Sequence, residues 1–185
     1  MTRKWQGIIA EFYTIDQFVD YLAAIDGAMW SRWHPTFLVL HHTANPSLFM
    51  YPSGITRSYL RGATGYYRDE LGWSAGPHFF VDDHGVWLFT PMWVPGVHAK
   101  SFNANSLGIE MLGNYDVEDP NYGRGSAVLE NAIKLIAILS LLFNMGAADL
   151  AFHRDEPSTT KSCPGELIDK ADIITRVKKI MAKAS

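Results

Sequence analysis

The chain has 185 residues, of which 48% are hydrophobic and 19% are charged, and its formal net charge is −3 at pH 7. This length and composition predict one soluble folded domain and exclude an intrinsically disordered chain. The slightly acidic balance gives no reason to expect a nucleic-acid partner, which would require a basic patch, and the single cysteine excludes an internal disulfide.

The N-terminal residues predict no signal peptide. Residues 5–13 contain Gln6 and Glu11 and lack the uninterrupted apolar run of about 7–15 residues that such a peptide needs. The most apolar stretch, residues 135–143, is shorter than the roughly 20 residues that span a bilayer. We therefore expect a monomer made and folded in the cytoplasm without stable membrane insertion, in which residues 1–33 form an extension packed on a domain of residues 34–185.

Helix and strand signals alternate along the first half of the chain. Residues 14–17 fit a capping box at the start of a helix. The continuous apolar run 37–40 predicts a buried strand, and residues 59–71 predict a helix that ends at Gly72. Two strands, 78–81 and 86–89, flank a turn that contains glycine, which is typical of a hairpin.

The second half of the chain continues this alternation. Residues 107–112 predict a strand, Ser126 is the predicted cap of a long apolar helix that stops near Gly146, and residues 150–152 predict a brief final strand. A last amphipathic helix is expected to carry Leu167, Ile168, Ala171, Ile174, Val177 and Met181 on one face. The order predicts a single α/β domain with a central mixed β-sheet flanked by α-helices.

A group of polar residues is expected to converge at one edge of this sheet. His41, Glu110 and His153 each fall at or near the end of a predicted strand, and Cys163 lies in the loop before the last helix. Imidazole and thiolate are good zinc ligands, and three protein ligands with a fourth position left to water are typical of a catalytic zinc site. The alternative for a lone cysteine is a small buried hydrophobe.

The remaining histidines need to be distinguished from these candidates. Strand alternation points His41 and His42 to opposite faces, so only one of the two reaches the site easily. His34 and His84 are expected to be solvated, while His78 is equally consistent with the core and with the lining of a pocket. His98 precedes a polar loop containing Asn103 and Asn105, where substrate binding is plausible.

Four segments in order carry a family resemblance. Residues 38–44, 72–79, 97–110 and 153–163 resemble successive motifs of the zinc-dependent N-acetylmuramoyl-L-alanine amidases. This group includes small phage amidases, bacterial recycling amidases and peptidoglycan recognition proteins. The resemblance covers roughly residues 36 to 165, and it implies the amidase-like fold, a bound zinc ion and a peptidoglycan or muropeptide substrate.

The resemblance also implies roles for individual residues. The zinc ligands would be His41, His153 and Cys163, because the single histidine of some relatives matches the first of the His41–His42 pair. Lys161 matches a catalytic lysine, and Glu110 matches a glutamate that is the general base in some branches.

The candidates for substrate binding are His98, Asn103, Asn105 and His78. One position departs from the family pattern, because Pro77 stands where other branches have a tyrosine. A proline has no acid or base group, so Glu110 is the best remaining base.

The function that the resemblance implies is hydrolysis of the amide between N-acetylmuramic acid and L-alanine. A compact amidase without a signal peptide resembles a phage or prophage endolysin released through a holin. A cytoplasmic recycling amidase that acts on anhydro-muropeptides shares these properties. A peptidoglycan-binding module without activity is a further alternative, although retention of Cys163 speaks against it.

Overall fold

A six-stranded mixed sheet forms the centre of the computed structural model, which describes residues 4–30 and 32–184. The strands lie in the order β1-β4-β3-β5-β2-β6. In chain order they are β1 (Glu11–Tyr13), β2 (Phe37–His42), β3 (Phe79–Val81), β4 (Val86–Leu88), β5 (Ser106–Met111) and β6 (Leu150–Phe152). β3, β5, β2 and β6 run parallel, whereas β4 pairs antiparallel with β3 and β1. The predicted mixed α/β sheet with flanking helices is therefore confirmed.

Five α-helices accompany the sheet in the described part of the chain: α1 (Ile15–Ala24), α2 (Gly27–Trp30), α3 (Arg57–Gly65), α4 (Gly123–Leu142) and α5 (Lys170–Ala184). The predicted capping box opens α1, because the Gln17 backbone N–H donates to Thr14 Oγ1 at 3.3 Å and the Thr14 N–H donates to Gln17 Oε1 at 3.0 Å. A π-helical turn (Tyr66–Glu70) follows α3, and 3₁₀ turns span Lys100–Phe102 and His153–Asp155.

Three predicted helix boundaries differ from the structure. The helix expected over residues 59–71 is α3 followed by the wider π-helical turn, because apolar spacing alone does not resolve the two kinds of turn. α4 begins at Gly123, so Ser126 lies inside the helix. Leu167 and Ile168 precede α5, and of the two only Ile168 is buried.

The core lies between one face of the sheet and the long helix α4. This helix contacts β3, β5, α1 and α5, and it buries apolar side chains along most of its length. Among the described helices, α4 alone is long and apolar enough to cross a membrane by length and composition. The central core helix of a folded domain has the same character, and α4 occupies that position here.

The register of the parallel strands places the polar candidates on the opposite face. His41 on β2 pairs with Glu110 on β5, and Glu110 pairs on its other side with Phe80 of β3. Side chains alternate between the two faces along a strand, and residues paired directly across neighbouring strands point to the same face. These three residues therefore share one face of the sheet. Helix α3 lies over this face, where Tyr59 contacts the Phe80 ring edge-on at 5.9 Å between centroids. A site between the sheet and α3 follows from this pairing.

Candidate metal centre and active site

Two histidines and the cysteine meet at the carboxyl ends of adjacent parallel strands. His41 lies near the end of β2, and His153 follows β6 directly. His41 Nδ1 lies 3.1 Å from His153 Nδ1 and 3.7 Å from Cys163 Sγ. The donor atoms of all three side chains lie within 4.8 Å of one another. The convergence expected from the strand ends is present.

These separations match a tetrahedral zinc site. Zinc–nitrogen bonds of about 2.0–2.1 Å and zinc–sulfur bonds of about 2.3 Å imply edges of about 3.3 Å between two nitrogens and about 3.6 Å between nitrogen and sulfur. The observed 3.1 Å and 3.7 Å agree with these values. Two imidazoles and one thiolate are also a donor set that zinc prefers. The residues present therefore fit a zinc ion with a fourth position open.

The protonation states of the two histidines suit metal binding. Burial holds the pKa of His41 well below its usual value, and the neighbouring rings of His98 and His153 add to the effect. Burial and the charge of Lys161 also lower the pKa of His153. Both imidazoles are therefore neutral near pH 7, which is the form that coordinates metal.

The cysteine is a thiol when no metal is bound. Burial, together with the nearby Glu110 carboxyl, raises the pKa of Cys163 to about 12. A metal ligand must be a thiolate, so metal binding at this site releases a proton.

Loop contacts hold Cys163 in place. Arg154, next to His153, donates hydrogen bonds from its guanidinium to the carbonyls of Ser162, Gly165 and Ile168 at 2.8–3.2 Å. Its backbone N–H also donates to the Cys163 carbonyl at 2.8 Å. Arg154 was not among the residues predicted for the site, although its position beside a candidate ligand is a signal that could have identified it.

His42 lies outside the group of donor atoms. Its Nδ1 accepts a hydrogen bond from the Tyr115 backbone N–H at 3.1 Å, and the two rings stack 6.4 Å apart. Strand alternation therefore separates His42 from His41 as expected.

A cavity of about 1310 Å³ opens beside the three donors. Glu110 and Lys161 both line it, as does Pro77. Burial raises the pKa of Glu110 to about 8, and the charge of Lys161 opposes that shift. The Glu110 carboxyl and the Lys161 amine thus line the same cavity as the three candidate metal ligands.

One wall of the cavity comes from α3 and the turn after it. Five of the lining residues follow the helical spacing i, i+3, i+4, i+7 and i+8, and they are Tyr59, Gly62, Ala63, Tyr66 and Tyr67. Tyr67 stacks on Trp73 with ring centroids 5.1 Å apart. These five residues were not among those predicted for the site, although their helical period is a signal that could have identified them.

The four candidate substrate-binding residues are not brought together. His98 lines the cavity, but its Nδ1 lies 3.0 Å from His41 Nε2. Asn103 Oδ1 accepts hydrogen bonds from the backbone N–H groups of His98 and Ala99 at 2.8 and 2.7 Å, so it braces the loop. Asn105 is exposed and does not line the cavity.

His78 lies in the interior of the fold and away from the cavity lining. It is fully buried and stacks on Trp33. Its Nδ1 accepts from the Gly108 backbone N–H, and its Nε2 lies 3.0 Å from the Val94 carbonyl. Both ring nitrogens therefore have protein partners. The expectation that His78 contacts substrate is corrected, and His78 belongs to the core, which was the other alternative.

The fold and these side chains define a single-domain α/β protein with a candidate metal centre at the carboxyl ends of parallel strands. Residues 31–166 match the family model described as N-acetylmuramoyl-L-alanine amidase. The chain belongs to this family, which confirms the resemblance identified from the sequence.

Known proteins similar to this chain include recognition proteins and endolysins. Peptidoglycan-recognition protein SC2 of Drosophila melanogaster is 31% identical over 135 residues, which is 70% of this chain and 68% of that protein. The endolysine N-acetylmuramoyl-L-alanine amidase LysCS from Clostridium intestinale is 24% identical, with a TM-score of 0.63 over 80% of this chain and 86% of that one. A mutant of Drosophila PGRP-LB in complex with tracheal cytotoxin is 22% identical, with a TM-score of 0.64 over 93% and 87%. The two structural likenesses show that the fold is shared.

Proposed function

We propose that this chain is a zinc-dependent N-acetylmuramoyl-L-alanine amidase. The observation that carries the proposal is the arrangement of His41, His153 and Cys163, whose donor atoms match two edges of a zinc tetrahedron and border an open cavity. An open fourth position is typical of catalytic zinc sites, whereas structural sites are closed by four protein ligands. Glu110 and Lys161 in the same cavity supply the acid–base and charge-stabilising groups that amide hydrolysis requires.

The residues divide the chemistry between them. His41, His153 and Cys163 would hold a zinc ion, which would supply a Lewis acid and make water a stronger acid near neutral pH. In its carboxylate form, which the positive charges of a bound zinc ion and of Lys161 would favour, Glu110 accepts a proton from the attacking water as the new carbon–oxygen bond forms at the lactyl carbonyl. Glu110 then returns that proton to the nitrogen of L-alanine as the carbon–nitrogen bond breaks, which leaves a lactyl carboxylic acid and a free amine. The acid then gives its proton to the amine, so the final products are a carboxylate and an ammonium group. Lys161 donates to the carbonyl oxygen while it carries negative charge.

The biological role that we propose is that of a phage or prophage endolysin. The protein would be synthesised in the cytoplasm, released through a holin and active on the cell wall as a monomer. A relative named as an endolysine amidase supports this role. The alternative is a cytoplasmic enzyme that recycles anhydro-muropeptides, and both roles use the same cavity and metal centre.

A binding module without activity is the second candidate function. It is favoured by the likeness to proteins named for peptidoglycan recognition. The presence of all three donors together with Glu110 and Lys161 favours the enzyme, because binding alone requires no thiolate ligand and no proton acceptor.

Purified cell-wall sacculi provide the test. The zinc-loaded protein is expected to lower the turbidity of the suspension and to release L-alanine amino termini. Chelator should stop both effects, and added zinc should restore them. A loss of turbidity that continues in the presence of chelator, or with the Cys163→Ala variant, contradicts the zinc assignment. Zinc-loaded protein that binds sacculi and releases no amino groups identifies a binding module, and activity confined to soluble anhydro-muropeptides identifies a recycling enzyme.

A further inference from the structure

The two ring nitrogens of His41 face different partners. Nδ1 points to the donor atoms of His153 and Cys163, at 3.1 and 3.7 Å. Nε2 lies 3.0 Å from His98 Nδ1, and the two rings meet edge-on at 87°. A neutral imidazole has one N–H donor and one lone pair. The hydrogen bond at Nε2 therefore decides whether Nδ1 is free to bind a metal.

The partners of His98 fix the direction of that hydrogen bond. His98 Nε2 lies 3.5 Å from the Ser106 carbonyl and 3.4 Å from Ser106 Oγ. The carbonyl can only accept, and the Ser106 hydroxyl already donates its proton to the Phe102 carbonyl at 2.7 Å. His98 must therefore donate from Nε2, so its Nδ1 is an acceptor and His41 Nε2 is the donor. The lone pair of His41 Nδ1 is left for the metal.

The surrounding backbone holds the His98 ring in this orientation. Asn103 Oδ1 accepts from the backbone N–H groups at the start of the loop, those of His98 and Ala99. Gly108 on β5 lies under the ring, and a Cβ at this position would lie 2.5 Å from His98 Cγ. The absence of a side chain at Gly108 is therefore what allows the ring to lie against the strand.

We propose that His98 is a positioning residue for the metal ligand His41. A chain of two hydrogen bonds runs from His41 Nε2–H to His98 Nδ1, and from His98 Nε2–H to Ser106. It fixes both the tautomer and the ring angle of His41. Outer hydrogen bonds of this kind contribute about 10–100-fold to metal affinity. The inference rests on the proposed zinc site, and it replaces the role in substrate binding that the sequence suggested for His98.

Three variants of His98 separate the hydrogen bond from the volume of the ring. His98→Asn places an amide oxygen close to the position of the imidazole Nδ1, so this variant retains an acceptor for His41. His98→Gln reaches the position of Nε2 and leaves no acceptor at Nδ1, and His98→Leu removes every polar atom. His34→Leu is the matched control, because His34 is exposed and outside the site.

Zinc affinity is measured by competition with a chromophoric chelator, and the thermal stability of each metal-free variant is measured in parallel. His98→Leu and His98→Gln are expected to lose about 10–100-fold in zinc affinity, with His98→Asn within about threefold of wild type. Nitrogen NMR of the zinc-loaded wild type should show the His41 proton on Nε2.

Each contrary result has a separate meaning. Wild type that does not bind zinc refutes the proposed metal site itself. Wild-type affinity in His98→Leu refutes only the positioning role, while the metal site stands. Equal losses in His98→Asn and His98→Leu refute the role of the hydrogen bond and assign the effect to packing. A His41 proton found on Nδ1 in the zinc-loaded protein also overturns the proposal.

Discussion

Glu110→Gln should abolish most of the activity and yet stabilise the metal-free protein at neutral and alkaline pH. The substitution keeps the shape of the side chain and removes its ionisation. Loss of a general acid–base group costs about 10²–10⁴-fold in rate. Zinc should remain bound, because Glu110 is not among the three donors. A gain in stability from the loss of a cavity carboxyl is typical of a residue retained for function.

The size of the gain follows from the pKa of Glu110, which burial raises from 4.5 to about 8. Below pH 4.5 the folded and the unfolded chains both hold the proton, so Glu110 costs no stability. Between pH 4.5 and 8 only the folded chain holds it, so wild type loses stability as the pH rises. At about 1.4 kcal/mol per pKa unit the upper limit is roughly 5 kcal/mol. Because the carboxyl faces a cavity open to water, we expect about 2 kcal/mol at pH 8.

Thermal unfolding of metal-free wild type and Glu110→Gln from pH 5 to pH 8.5 measures this difference. About 2 kcal/mol corresponds to a Tm difference of roughly 4–8 °C at pH 8, which should shrink towards zero near pH 5. Other groups titrate in both proteins and cancel in the comparison. Glu166→Gln is the matched control, since Glu166 is exposed and does not line the cavity. A constant Tm difference across this range, or a less stable Gln variant at pH 8, would refute the reasoning.

Three further substitutions test the other parts of the site. Cys163→Ser should weaken zinc binding by more than the 10–100-fold typical of a lost outer hydrogen bond, as measured by chelator competition; unchanged affinity would remove the thiolate from the ligand set. Lys161→Met should lower turnover on sacculi by about 10²–10³-fold with zinc still bound, and full activity would exclude its role beside the carbonyl oxygen. Arg154→Leu should destabilise the metal-free protein by about 2–4 kcal/mol in urea unfolding, because it removes three charged hydrogen bonds to the loop that carries Cys163; a change below about 0.5 kcal/mol would contradict that bracing.

The convergence of His41 and His153 was predictable because strand periodicity and topology determine where strand ends meet, whereas their role as zinc ligands came from the family resemblance. An apolar run followed by His41, and a short strand followed by His153, place both side chains at one edge of a parallel sheet. The same periodicity separates His41 from His42. These conclusions need only the direction of alternate side chains along a strand.

The position of His98 was not predictable in the same way. It lies in a loop, and its orientation depends on contacts distant along the chain: the space above Gly108 and the carbonyl of Ser106. The burial of His78 likewise depends on Trp33, a residue 45 positions earlier that stacks on its ring. A loop histidine looks alike in the sequence whether it contacts substrate, packs in the core or supports a metal ligand.

The pairing of β1 with β4 has a consequence for how this domain can be cut and transplanted. The segment that matches the family model, residues 31–166, omits β1, α1, α2 and α5. A fragment consisting of residues 31–166 alone would lack β1, so the hydrogen-bonding edge of β4 would be exposed. Unpaired strand edges promote aggregation. The same fragment would also lack the fully buried Phe18, which packs edge-on against Phe79 in the core. The elements that complete the sheet and core therefore extend beyond residues 31–166, which contain the candidate site. Chimeras should be joined outside residues 11–184.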